Sequence, residues 1–398
     1  MNLKQLGILI VLVVVIGGAG LMLHNQQKSS WKGGGAEVGK KLLGDDFPIN
    51  DVASISVEHG TNKLNLARKD DFWRVRQRGD YPANFSQISD LLKKLRDLKI
   101  VQVEEIGPSQ LARMDLASGQ GSNSAVVVDF DDQSGKPIRT LLLGKMHMKK
   151  SPAPSQMEGG AESFPDGRYV EVGTNSQQVA LISDSLETLD ANPDSWLNKD
   201  FFKVEKPKLI EVDFPVATNS WKLTRETESG DWKLANTNAG EELDSSKVSG
   251  VTSPFSSPTF TSVLPGAKLP GTNQPTVVKI DTFDGFNYTI NVGEKTNDDY
   301  FLTLAVSAKP APERVPGKDE KPEEKILLDK QFKDAQQKEA DKLKQEQAFQ
   351  QWTYLVPSYA VDPVLKERSE LLADKKTDAA DKSSETNGMP PIEPLKGK

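Results

Sequence analysis

Residues 52–75 read VASISVEHGTNKLNLARKDDFWRV. Ile55 and Val57 alternate with polar neighbours, as do Leu64 and Leu66, then Trp73 and Val75. His59-Gly60-Thr61-Asn62 and Lys69-Asp70-Asp71 fall between the three pairs. Period-two alternation broken by turn residues predicts three strands of an antiparallel meander with one buried and one wet face. Ile88, Leu91, Leu92, Leu95 and Leu98 follow at helical spacing. They form a single apolar stripe, enough to cover one face of the meander. Asn84 stands where its cap belongs, with Gln87 three residues on as the return partner of a capping box.

Working outward, the pattern restarts at Lys208 as KLIEVDF, SWKLTRE and DWKLAN. Ile55 aligns with Ile210, Trp73 with Trp232, Val126 with Val277, and Gly144 with Gly293. The expected fold class is therefore α+β. Two homologous modules, 47–200 and 201–372, each combine an antiparallel sheet with a helix. In the first, Ala125–Phe130 and Ile138–Leu143 form a hairpin, as do Arg168–Val172 and Gln178–Ile182, and Ser185–Leu197 looks helical. In the second, the helix equivalent Ser245–Phe255 is weakened by Gly250 and Pro254. The Pro/Gly/Ser-rich loop Lys149–Gly167 finds its counterpart in a charged insertion between Ala308 and Phe349.

Leu6–Leu23 is an uncharged apolar run, LGILIVLVVVIGGAGLML. At ~1.5 Å per residue it spans roughly the ~30 Å of a bilayer core. It predicts an N-terminal transmembrane helix within 1–24, retained as a signal anchor. The bulk of the chain then lies outside the cytoplasm, on a bacterial inner membrane crossed once. The rival reading is a cleaved signal peptide with Gly18 and Gly20 at the cut, but the apolar run continues beyond both. Residues 25–46, with Gly33-Gly34-Gly35, read as a flexible linker. Residues 373–398 read as a disordered tail.

The length of 398 residues allows two domains with real cores. With 50 basic and 57 acidic residues mixed along the chain, the net charge is −7, and no basic stripe suits nucleic acid. The absence of cysteine excludes disulfides, thiolate nucleophiles and cysteine-ligated metals. His24, His59 and His147 offer no i, i+4 pair for zinc. Asp129, Asp131 and Asp132 do not fit a calcium loop, because Ser134 and Thr140 occupy its glycine and glutamate positions. They read as a hairpin turn. Gly119-Gln120-Gly121 lacks the third glycine of a dinucleotide loop, and neither a P-loop nor a nucleophile elbow occurs. Paired carboxylates of glycosidase type stay open among so many acids. Trp73, Trp221 and Trp232 could stack on sugars, but their repeat-equivalent strand positions suit a core. No catalytic, metal or cofactor-binding residue is singled out.

The Trp73 strand, Tyr81-Pro82-Ala83-Asn84, Leu141-Leu142-Leu143-Gly144 and Gly167-Arg168-Tyr169-Val170, followed by Val179-Ala180-Leu181-Ile182, carry a resemblance. Behind an N-terminal anchor, they resemble an uncharacterised bacterial family known only as a domain of unknown function, over roughly Phe47 to Leu372. Its members are single-anchor envelope proteins often encoded beside gliding-motility-type ABC transporter components. Met114-Asp115-Leu116 stands where that family usually shows Gly-Leu and then Pro. The resemblance implies a non-enzymatic scaffold or accessory subunit of a membrane transport or motility-type complex, with ABC transporter components as partners. The alternative is a binding module for cell-wall glycan or another solute.

Within the insertion about 309–350, prolines stop near Glu323 and good helix formers take over. Leu328, Phe332, Ala335 and Leu343 mark a stripe too thin for a buried helix. One reading is a solvated helix folded back on its own module. The sharper one is an arm that docks a partner through that stripe.

Overall fold

The computed structural model describes residues 37–374 except 118, 120, 122–123, 151–162, 174–177, 310–312 and 318–319. The Leu6–Leu23 run and the tail beyond 374 lie outside the described residues. In the first module β1 (Ser54–His59), β2 (Asn62–Lys69), β3 (Phe72–Val75) and β4 (Tyr81–Pro82) lead into α1 (Phe85–Asp97). Strands β5 (Ile100–Glu105), β6 (Val126–Asp131), β7 (Pro137–Lys150), β8 (Ser163–Val172) and β9 (Gln178–Ile182) complete it. The second module runs through β10 (Pro207–Asp213), β11 (Trp221–Thr224), β12 (Lys233–Leu234), α2 (Ser245–Val248), β13 (Ser262–Pro265) and β14 (Thr276–Thr282). It continues as β15 (Phe286–Thr296), β16 (Asp299–Ala308), α3 (Pro322–Gln347), β17 (Trp352–Pro357) and α4 (Ser358–Val361).

The strand orders are β4-β3-β2-β1-β6-β7-β8-β9-β5 and β12-β11-β10-β14-β15-β16-β17-β13. Apart from the short β4, the two sheets follow one plan, and every strand pair in them is antiparallel. Ile55 pairs with Leu66 as Ile210 pairs with Leu223. Trp73 and Trp232 sit at matching places beside Val75 and Leu234, which pair with Leu66 and Leu223. Gly144 and Gly293 each lie in the bulge that shifts the register of β7–β8 and β15–β16. Val126 does not match Val277: Val126 pairs with Leu143, and it is Thr276 that pairs with the equivalent Val292. A one-residue slip exchanges the faces of a strand, and the adjacent valines Val277-Val278 hid the alternation.

Other expectations also need correction. The charged insertion joins β16 to β17, the counterpart of β8–β9, whereas Lys149–Gly167 joins β7 to β8. Its true counterpart is the tight turn at Asn297-Asp298. Ser185–Leu197 is not a helix beyond the single 3-10 turn Pro193–Trp196. Asp184, Asp190 and Asn192 each accept the backbone N–H two residues on, at 2.8–3.1 Å, so successive turns replace helical bonds. The end of the expected linker is anchored to the first module: Lys41 bridges Lys99, and Leu42 and Leu43 are buried, while Val38 and Asp45 stay exposed. The apolar pair decides this against the glycines before it.

α1 lays Ile88, Leu91, Leu92 and Leu95 against the sheet, and Asn84 accepts the Gln87 N–H at 3.1 Å. Its counterpart α2 keeps one turn, held by Val248. Both modules feed one continuous core. Where they meet, the Tyr81 ring stands edge-on to Phe260, Trp352 and Tyr354 at 5.1–6.3 Å. Burial there pushes the Tyr81 phenol up to about 12. Beside it Arg78 forks onto Asp194 with two 2.7 Å bonds, and Ser262 of β13 donates to the same carboxylate at 2.7 Å. Burial pushes Asp194 up, but the bonds from Arg78 and Ser262 outweigh it and hold the carboxyl below its ordinary value.

Candidate partner-docking arm

α3 is 26 residues long and begins Pro322-Glu323-Glu324, a proline in the first turn followed by acids that suit the positive end of a helix. Its last third carries the attachment to the second module. Leu343 packs against the core. Lys342 pairs with Glu205 at 2.8 Å and lies 5.0 Å over the Phe286 ring. Glu346 is buried, accepting the Lys203 N–H at 3.0 Å and the Tyr288 hydroxyl at 2.8 Å. Upstream, Glu339 comes into the field of Asp284 in the β14–β15 turn. From Glu339 back to Pro322 the helix extends roughly 25 Å at ~1.5 Å per residue.

The segment before the helix is tied along this outer part. Arg314 donates to Asp329 at 2.7 Å and to both oxygens of Glu320, and Glu320 also accepts the Gly317 N–H at 3.1 Å. Hydrogen bonding to these carboxylates raises the Arg314 guanidinium above its ordinary value. The result is a strapped helical arm rather than a loose loop.

The predicted stripe divides along it. Leu328 and Phe332 are half-buried and Ala335 is exposed, while Leu343 belongs to the attachment. The apolar groups open to solvent are instead Ile326, 73 % exposed, Leu327, 56 %, and Val315, 89 %. Sequence reasoning passed over them because it followed a single spacing. The available signal was the pair Ile326-Leu327 directly after a charged first turn, where a helix has no core to face.

Burial pushes the Glu346 carboxyl above its ordinary 4.5, against the lowering bonds from Lys203 and Tyr288. Between 4.5 and the raised value the native chain holds the extra proton, so stability falls as pH rises through that window. Glu346→Gln, which keeps an acceptor for Lys203, should flatten this part of the curve in urea melts taken across pH. An unchanged slope would mean that Glu346 does not control it.

The other sequence candidates lie in turns, strands and the core. Asp132 accepts the Ser134 and Lys136 N–H groups at 2.8 and 3.0 Å, and hydrogen bonding from Ser134 first of all holds its carboxyl low. It is a turn. Trp73 and Trp221 are buried, and Trp221 donates to the Lys366 carbonyl at 2.7 Å. Trp232 is half-buried beneath the Arg225 guanidinium at 4.8 Å. His147 meets Asp166 at 2.5 Å across the β7–β8 ribbon, and His59 ends β1. Among the described residues no group of three His, Cys, Asp or Glu is placed to hold a metal. Among them, too, no helix is long and apolar enough to cross a membrane.

No curated protein matches the chain, and no solved structure does. A match to the family described as "Domain of unknown function (DUF4340)" covers residues 73–276. That stretch is just over half of the chain, from the Trp73 strand to the start of β14, and it stops short of the arm. By that match, the chain belongs to the DUF4340 family.

Proposed function

We propose that the chain is a membrane-anchored, non-enzymatic scaffold or accessory subunit of a membrane transport or motility-type complex. It works on the extracytoplasmic side, and α3 is the arm that engages a membrane-protein partner, of which ABC transporter components are the expected class. The observation that carries this reading is the arm itself. A long helix is held at one end by a buried carboxylate and carries Ile326 and Leu327 open to solvent at the other, with Val315 exposed in the segment that leads into it. Large exposed apolar side chains on an otherwise charged element are the composition of a docking tip. The apolar Leu6–Leu23 run supports the anchor, and the resemblance to single-anchor envelope proteins supports the partner class.

Replacing Glu313–Ala335 by a short Gly/Ser turn spares Lys342, Leu343 and Glu346. Pull-downs from detergent-solubilised membranes should then lose the partner while the melting temperature stays nearly unchanged. Full recovery of the partner by the shortened chain would rule out the arm. Extending the cut to Gln347 removes the Glu346 acceptor from Tyr288 and Lys203, and would confuse docking with unfolding.

A further inference from the structure

The two modules share a topology, so each shows what the other's positions require for folding alone. In the first, the segment after β5 folds over the outer face of its sheet. Leu111, Met114 and Leu116 close there on Leu142 and Val179 as a second, small apolar core. The strand registers set Asn291 where Leu142 stands, each facing a valine, and Thr303 where Glu171 stands. Thr353 takes the place of Val179. The second module thus carries an amide and two hydroxyls where the first has leucine, valine and a buried glutamate.

These are not the ordinary side chains of a wet sheet face. Thr303 is 5 % exposed and Thr353 0 %, and hydroxyls so buried are tolerated only when bonded. Thr353 donates to the carbonyls of Gly266 and Lys268 at 2.7 and 3.2 Å. Those bonds hold the loop 266–275 as a roof over the sheet. Its far side rests at Gly271 (φ +80°), where a Cβ would come within 2.5 Å of the Glu294 carboxylate. Beneath the roof, open to solvent, lies a pocket of roughly 790 Å³ lined by Asn291, Thr303, Thr272 and Asn273 together with Leu269, Pro270 and Pro275. Asn291 donates to Thr303 at 3.2 Å, and its amide keeps further acceptor and donor capacity.

We propose that this pocket is a binding site for a neutral solute carrying clustered hydroxyl and amide groups, the chemistry of an N-acetylated sugar. The volume falls within the ~300–1,000 Å³ of small-ligand sites. Lys268 is the one charged residue in the lining, so a cationic ligand would meet no counter-charge and an anionic one a single ammonium, whereas the amide and hydroxyls suit a neutral polar solute. An extended peptide would seek the neighbouring sheet edge, but there β13 meets the first module through Ser262–Asp194 and Pro265 against Gly79.

The test is calorimetric titration of the full-length protein in detergent with a short soluble oligomer of N-acetylglucosamine. The native chain should bind it. Asn291→Leu, which restores the first module's side chain, should weaken binding about tenfold or more, as expected when a ligand's polar group loses its partner. Thr303→Val should do the same, with the melting curve unchanged for at least one of the two. No binding by the native chain, or equal binding by both folded variants, would overturn the site. Stronger binding of an uncharged N-acetylated peptide would overturn the ligand class. Asn291→Leu should leave partner recovery through the arm intact, so this proposal and the arm stand or fall separately.

Discussion

Tyr354→Ala is expected to lower the stability of the whole described body by about 3–5 kcal/mol, the range for deleting a buried aromatic ring. Tyr354 is fully buried on β17. Its ring meets Phe201, Phe260 and Phe349 of the second module's core at 4.6–6.4 Å, and Tyr81 of the first at 6.3 Å. The hole would therefore open into the joint itself. If both modules draw on one core, urea unfolding followed by tryptophan fluorescence and by far-ultraviolet dichroism should shift as one transition. A variant in which the second module melts early while the first keeps its native midpoint would show that the joint does not couple them.

The second large effect separates the two bulge glycines. At Gly144 a Cβ would lie 2.4 Å from the Met114 carbonyl oxygen and 2.7 Å from Leu116, because the covering segment presses on the bulge. At Gly293 the nearest atoms, on Leu269 and Phe301, are 3.3 Å away. Gly144→Ala must displace backbone and should cost about 1–3 kcal/mol. Gly293→Ala needs only a slight shift and should cost roughly 0.5 kcal/mol or less. Denaturant midpoints of the two single variants check this. Equal losses would mean that the roof of the second module presses as closely as that of the first, and would remove the pocket beneath it.

The repeat was legible because its signals are local. Trp73 and Trp232, Ile55 and Ile210, and Gly144 and Gly293 sit at fixed distances from turns, and the structure places each pair alike. What escaped depends on contacts between distant segments. Asn291 looks like any outward residue of a strand until its partner position, Leu142, is seen sealed under Leu116. Glu346 looks like one acid among many in a charged helix until Tyr288 and Lys203 close on it. Arg168 is likewise ordinary in sequence. In the fold it is buried, and it donates to the carbonyls of Gly144, Ser185 and Leu186 at 2.9–3.4 Å, tying the bulge to the loop after β9. The arm was visible as a composition change, but its polarity was not. Which end is held and which is free follows from where Asp284 and Glu205 lie in space.

Site-specific photocrosslinking in intact membranes tests the docking arm most directly. A photoreactive residue placed at Ile326 or Leu327 in the full-length chain is predicted to give one strong adduct with an integral membrane protein. The same residue at Lys344, exposed on the attached third of the helix, should give little. Adducts of equal strength from all three positions, or none from Ile326 and Leu327, would contradict the account.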